Sequence, residues 1–205
     1  MKLQISFDFL DLEKAINIAN EVAPFADILE IGSVLIYIHG INAIKRFQQS
    51  FVGKEIFADI KLIDRVEPII KEYSKVGANI ISVMAGTTNN IIQNATKVAH
   101  ENKSLIALDL ADANSMGQSA MDSQILDVDR IIFHGPHESN NLEKSLEEWE
   151  NVTGNTKTPI FIAGGINKEN IAKIIELKPA GIIIGSAITE SNNPAKMAEE
   201  FKKLL

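Results

Sequence analysis

Pro159-Ile160-Phe161-Ile162-Ala163, then Gly164-Gly165-Ile166, then residues 168–177, then Gly181-Ile182-Ile183-Ile184 and Gly185-Ser186 follow one another in a short stretch of the chain. The two isoleucine-rich runs are short and apolar throughout, the pattern of strands covered on both faces. Residues 168–177 have helical period, and glycines close both runs where the chain must turn. Strand, helix and strand in that order form the unit of a parallel sheet with a right-handed crossover.

The same alternation extends outward to both ends of the chain. Strands are expected at 3–9, 28–31, 55–60, 78–84, 105–110, 130–134, 159–163 and 181–184. The helices between and after them are expected at 11–22, 41–47, 66–75, 90–101, 116–125, 142–151, 168–177 and 194–205, with Asp11 at the first helix start. Eight strand–helix units predict a single-domain (β/α)₈ TIM barrel over residues 1–205, near the lower size limit of that fold. A doubly wound open sheet accounts for eight units less well, and it leaves the polar strand ends without a common site.

Composition narrows the function classes. The chain has 205 residues, 27 acidic against 20 basic side chains, and a net charge of −7, with no basic block to displace counterions from nucleic acid. It has no cysteine, which excludes disulfides, thiol catalysis and cysteine-ligated metals. No apolar run reaches the length of a membrane span, and the first residues lack a signal-peptide pattern. The expectation is a cytoplasmic protein that binds neither nucleic acid nor membrane.

In this fold the chemistry lies at the C-terminal ends of the strands. Those ends carry Asp8, Glu30, Asp59 with Lys61, Asp109 and His134 on otherwise apolar runs, and Asp64 follows strand three. Asp59 and Lys61 are two apart and so share a face. Four carboxylates against one lysine raise one another's pKa or need a cation. A hard divalent ion such as Mg²⁺ fits an all-oxygen site, with Glu30 and Asp59, on adjacent strands, as the ligand pair. For Asp8 and Asp109 the alternative is a plainer role as acceptors from loop amides. His134 closes its strand where a proton can be exchanged near neutral pH, whereas His39, His100 and His137 read as solvated surface groups. Gly164, Gly165, Gly185 and Ser186 follow strands seven and eight, where such barrels hold phosphate on backbone amides.

These motifs resemble the 3-hexulose-6-phosphate synthase family, within the orotidine-monophosphate-decarboxylase-like group of ribulose-phosphate-binding barrels. The carriers are Asp8, Asp27 to Gly32, Ala58 to Asp64, Gly77-Ala78, His134, Ala163 to Ile166 and Gly185 to Thr189. The decarboxylases of the group resemble this chain but have lysine where Glu30 stands and need no metal; glutamate there is similar to the Mg²⁺-dependent synthase branch and its relative, 3-keto-L-gulonate-6-phosphate decarboxylase. The resemblance implies an aldehyde-lyase joining formaldehyde to D-ribulose 5-phosphate through a metal-stabilised enediolate. It implies Lys61 beside the enediolate, His134 as proton carrier at C1, and Asp8 and Asp64 ordering sugar hydroxyls and Lys61. Asp109 is a further candidate substrate ligand. The decarboxylase reaction on the same site and a non-catalytic sugar-phosphate-binding barrel are the alternatives. Arg65-Val66-Glu67 and the loop from Gly135 to Asn141 depart from the synthase pattern, as does Gly86-Thr87-Thr88-Asn89, which lacks an aspartate.

The resemblance also implies a homodimer paired at the strand-three face, with the matching aspartate reaching the partner's site. Leu62, Ile63, Val66, Ile69 and Ile70 supply apolar character there. Asp64 either crosses to a partner or serves its own barrel.

Overall fold

Eight parallel strands pair in sequence order, and the last returns to the first, closing a (β/α)₈ TIM barrel. The computed structural model describes residues 1–135 and 142–205. The strands are β1 (Lys2–Phe7), β2 (Ile28–Ile31), β3 (Glu55–Leu62), β4 (Ile80–Met84), β5 (Leu105–Asp109), β6 (Arg130–His134), β7 (Ile160–Ala163) and β8 (Gly181–Ile184). Closure excludes the open sheet. The helices are α1 (Leu12–Val22), α2 (Ser33–His39), α3 (Ile41–Ser50), α4 (Val66–Lys75), α5 (Asn89–Glu101), α6 (Met116–Ile125), α7 (Leu142–Asn155), α8 (Ile171–Glu176), α9 (Ser186–Thr189) and α10 (Pro194–Leu204). None of the described helices is long and apolar enough to cross a membrane.

Two apolar layers follow from strands covered on both faces. Inside the barrel, Ile28, Phe57, Ile80, Ala107, Ile132, Phe161, Ala163 and Ile183 pack on one another. Outside it, a larger core fills the space between strands and helices. Gly181 opens β8 because a Cβ there would stand 2.3 Å from the Phe161 ring. The strand gives up a side chain so that a phenyl group can fill the barrel.

Three local differences from the sequence pattern have physical reasons. Residues 33–39 form α2, which was not expected. Val34 to Ile38 are apolar without helical period, and only Leu35 and Ile36 are buried. Helix α8 starts at Ile171, not at residue 168, because the Asn167 side chain accepts from the amides of Glu169 and Asn170 and holds a turn first. Strand β3 runs on to Leu62 through an irregularity that shapes the site. Asp11 caps α1 as expected, accepting from the amides of Glu13 and Lys14.

Candidate active site

A cleft of about 330 Å³ opens at the C-terminal ends of the strands. Asp8, Glu30, Asp59, Lys61, His134, Gly164, Gly165, Gly185 and Ser186 all line it. Asp109 lies directly behind, 1% exposed. The parallel register explains the convergence: Ser6 pairs with Glu30, Glu30 with Phe57, and Asp59 stands two residues beyond Phe57.

One side of the cleft is overloaded with acid. Glu30 is 7% exposed; its carboxylate accepts from the Ser6 hydroxyl at 2.7 Å and from the Gln4 amide. Burial, and next the charge of Asp59, push the Glu30 pKa up to about 8; Gln4 and Ser6 oppose the rise. Asp59 is raised as well, because burial outweighs the help of Lys61 and Ser82. Asp8 is exposed; it shares the Ser6 hydroxyl with Glu30, at 3.2 Å, and accepts from the Val34 amide at 3.3 Å at the start of α2. A Cβ on Gly32 would meet the Asp8 carboxylate at 2.2 Å, so glycine lets the carboxylate reach that helix start.

The other side is a chain of charge pairs. Lys61 Nζ lies 2.7 Å from Asp109 Oδ2 and 3.3 Å from Asp59 Oδ2. His134 Nε2 lies 2.8 Å from Asp109 Oδ1, which also accepts from the Ala111 amide at 2.9 Å. Burial would lower the lysine pKa, yet the two carboxylates hold the ammonium above its usual range, so it is charged. Burial would raise Asp109, but His134 and Lys61 bring it down to about 2. Asp109 therefore stays ionised and orients both Lys61 and His134. Both of its oxygens are occupied from within the protein.

Lys61 has a backbone conformation uncommon for a side-chain-bearing residue, with φ at +50°. Such a residue costs on the order of 1–3 kcal/mol and persists where the surroundings fix it. Asp59 and Lys61 do meet, but through this break in the strand and not by simple alternation.

On the far wall, Gly164 and Gly165 take φ of +101° and +53°, where a side chain would be strained. Among the described residues no group accepts from the amides of Gly164, Gly165, Ser186 or Ala187. These donors border the same cleft as Lys61.

Residues 1–201 match the family described as Orotidine 5'-phosphate decarboxylase / HUMPS. The chain belongs to this family. A relative from Bacillus subtilis (strain 168), named 3-hexulose-6-phosphate synthase, is 30% identical over 209 aligned positions, covering 100% of this chain and 99% of the relative. A protein of the same name from Staphylococcus aureus (strain USA300) is 28% identical, covering 98% of this chain and 97% of the relative. The crystal structure of 3-hexulose-6-phosphate synthase from Salmonella typhimurium superimposes with a TM-score of 0.91 at 25% identity, covering 100% of this chain and 98% of that one.

Within this family barrel, one named side chain stays clear of both the cleft and the Lys61–Asp109–His134 chain. Asp64 is exposed, accepts from its neighbour's amide at 2.7 Å and lies 3.7 Å from the Arg65 guanidinium. Of the apolar residues around it, Leu62, Val66 and Ile70 are buried in the core, and only Ile63 is well exposed, at 59%. That set is therefore mostly core and not surface. His39 lies 2.8 Å from the Leu10 carbonyl, and His100 contacts Asp129, so both have protein partners at the surface. The expectations for Pro136 to Asn141, His137 included, fall outside the described residues.

Three buried polar site residues escaped the sequence reading: Gln4, Ser6 and Ser82. Their signal was a polar side chain inside an apolar strand. Gln4 and Ser6 alternate with buried Leu3, Ile5 and Phe7, and Ser82 sits at the centre of β4.

Proposed function

We propose that the chain joins formaldehyde to D-ribulose 5-phosphate, giving D-arabino-3-hexulose 6-phosphate, with Mg²⁺ as cofactor. The observation that carries this reading is the division of one cleft. Glu30 and Asp59 crowd two buried carboxylates on one side, while Lys61 and His134 are both held by Asp109 on the other.

The residues fit a magnesium ion. Glu30 and Asp59 offer only oxygen, and each is destabilised as an anion by burial and by its acidic neighbours, a strain that a cation relieves. No group of three or more His, Asp or Glu side chains forms a metal cage among the described residues. Glu30 and Asp59 would supply two carboxylates, and an ion held that way takes water and substrate oxygens to complete its shell. When bound, Mg²⁺ supplies positive charge to neighbouring substrate oxygens.

The chain's own groups do the rest. The free amides of Gly165 and Ser186 hold the phosphate, which sets the sugar's length across the cleft. His134, oriented by Asp109, takes a proton from C1 of the sugar phosphate. The negative charge left on the enediolate falls beside the Lys61 ammonium. The C1 carbon then bonds to the carbonyl carbon of formaldehyde, whose oxygen receives the proton. Asp8, at the rim, orders a sugar hydroxyl.

The reading extends to a homodimer in the cytoplasm. Leu10, Tyr37, Ile38 and Ile63 are exposed apolar side chains at the ends of the first three strand–helix units, more than a solvated rim needs. A monomer at micromolar concentration would remove the dimer.

Turnover of ribulose 5-phosphate with formaldehyde, requiring Mg²⁺ and abolished by chelator, is the expected result. Turnover only of a 3-keto-hexonate 6-phosphate would make the chain a decarboxylase. Phosphate-ester binding without either reaction would make it a binding barrel.

A further inference from the structure

We infer that Ser82 is a positioning residue that holds Lys61 in its working conformation, an assignment resting on the function proposed above. The pairing of β3 with β4 runs Phe57 with Ile80 and Ala58 with Ile81, and then jumps to Leu62 with Val83. Asp59, Ile60 and Lys61 therefore stand opposite the single residue Ser82. Bulges are rare in parallel pairs; where they occur beside active sites they re-aim a side chain.

Ser82 is fully buried on β4. Its hydroxyl accepts from the Lys61 amide at 2.8 Å and donates to Asp59 Oδ1 at 2.8 Å. The bulge removes the regular ladder partner of the Lys61 amide, and the serine oxygen takes its place. The other Asp59 oxygen lies 3.3 Å from Lys61 Nζ. The lysine is thus tied at its backbone through Ser82 and at its tip through Asp59 and Asp109, forming one closed ring of contacts.

That ring explains why Lys61 tolerates φ of +50°. An alanine at 82 leaves the amide without an acceptor and frees β3 to slide toward regular pairing. The pairing on either side of the bulge, 58 with 81 and 62 with 83, differs by two residues, so regular pairing would keep the face of Lys61 but move it about 6–7 Å along the strand, away from Asp109. Ser82 does not itself line the cleft, so it acts through Lys61.

The test compares S82A, S82T and S82C. Threonine keeps the hydroxyl; cysteine keeps the approximate volume but is a weak donor and acceptor. Competitive acetylation, read by mass spectrometry, measures Lys61 against the exposed Lys196 of the same molecule, whose side chain is 70% accessible. In S82A and S82C the relative reactivity of Lys61 is expected to rise about fivefold, and kcat to fall roughly tenfold or more while KM moves less than about threefold. S82T is expected to stay near wild type in both. If S82A does not fold, S82C carries the same comparison. Unchanged Lys61 reactivity and kcat in the folded serine variants, or an S82T that behaves like S82A, would overturn the assignment. If the labelling follows expectation but even the wild type fails to turn over ribulose 5-phosphate with formaldehyde, the positioning role stands and the proposed reaction falls.

Discussion

The two ends of the barrel treat charge in opposite ways. At the N-terminal end, Glu55 pairs with Lys2 at 2.9 Å and with Arg130 at 3.5 Å. Asp129 accepts from the Ile106 amide and contacts His100, and Asp27 accepts from the Leu3 amide and from Lys202. Each carboxylate there has a basic side chain beside it and serves to join strands, loops or helices. At the C-terminal end, Asp8, Glu30, Asp59 and Asp109 share one lysine and one histidine, Glu30 is pushed up to about 8, and Lys61 has φ of +50°. The same sheet thus keeps its compensated charges where they stabilise and its uncompensated ones where a ligand can complete them. Carboxylates left without compensating charge at one end mark the functional face.

The largest contrast comes from removing a lysine at each end. Lys61→Ala deletes the positive charge beside the substrate and leaves Asp59 and Asp109 without their shared partner. A loss of about 10²- to 10³-fold in kcat is expected, the scale for one preorganised electrostatic group. Lys2→Ala removes a half-exposed ion pair worth at most about 1 kcal/mol and should leave kcat within roughly twofold. Steady-state assays of both variants with ribulose 5-phosphate and formaldehyde decide it. Comparable losses would mean that the distinction between the two ends is false.

How much of this contrast was legible beforehand follows the physics of each element. The eight strands were readable because burial on both faces forces continuous apolar runs, and β2, β6 and β8 begin and end where those runs do. Asp59, Lys61, Glu30 and His134 were readable because charge is costly at the end of an apolar strand. Helix α2 was hidden because its outward residues Tyr37 and Ile38 are apolar and erase the helical period. The bulge was hidden because it arises from a cross-strand contact: nothing near Lys61 in sequence names Ser82, 21 residues away. Short polar residues buried in strands were the faint signal, and they carry chemistry only once their partners are known.

A second, smaller effect sharpens the comparison through pH. In metal-free protein Glu30 holds its proton up to about pH 8, against an ordinary value of 4.5. Between those values the folded state keeps a proton that the unfolded chain has released, so this group makes stability fall as pH rises. Glu30→Gln removes that dependence. The wild type minus Glu30→Gln difference in thermal midpoint should therefore decline from about pH 5 to about pH 8 in chelator. Adding Mg²⁺ at pH 8 should raise the wild-type midpoint and leave the variant where it was. A flat difference curve would show that the acidic cluster is not under the strain described.

The smallest expected effect lies at the quiet end, in Arg130. Its side chain is buried, stacks 4.8 Å from the Phe161 ring centre, and leaves Nη1 without a partner among the described residues. Burial lowers its pKa despite Glu55 and Asp129, so desolvation outweighs what the carboxylates return. Replacing such a group with an apolar side chain of similar volume is often neutral or stabilising. Arg130→Met keeps contact with Phe161, and Glu55 is not orphaned because Lys2 still reaches it at 2.9 Å. Chemical denaturation of Arg130→Met should give a stability within about 1 kcal/mol of the wild type, with kcat unchanged. A loss nearer the roughly 3–5 kcal/mol of a broken buried pair would mean that the arginine, and not the ring packing, closes the floor of the barrel. A loss of kcat without that loss of stability would carry the chemistry down through the barrel and undo the separation of its two ends.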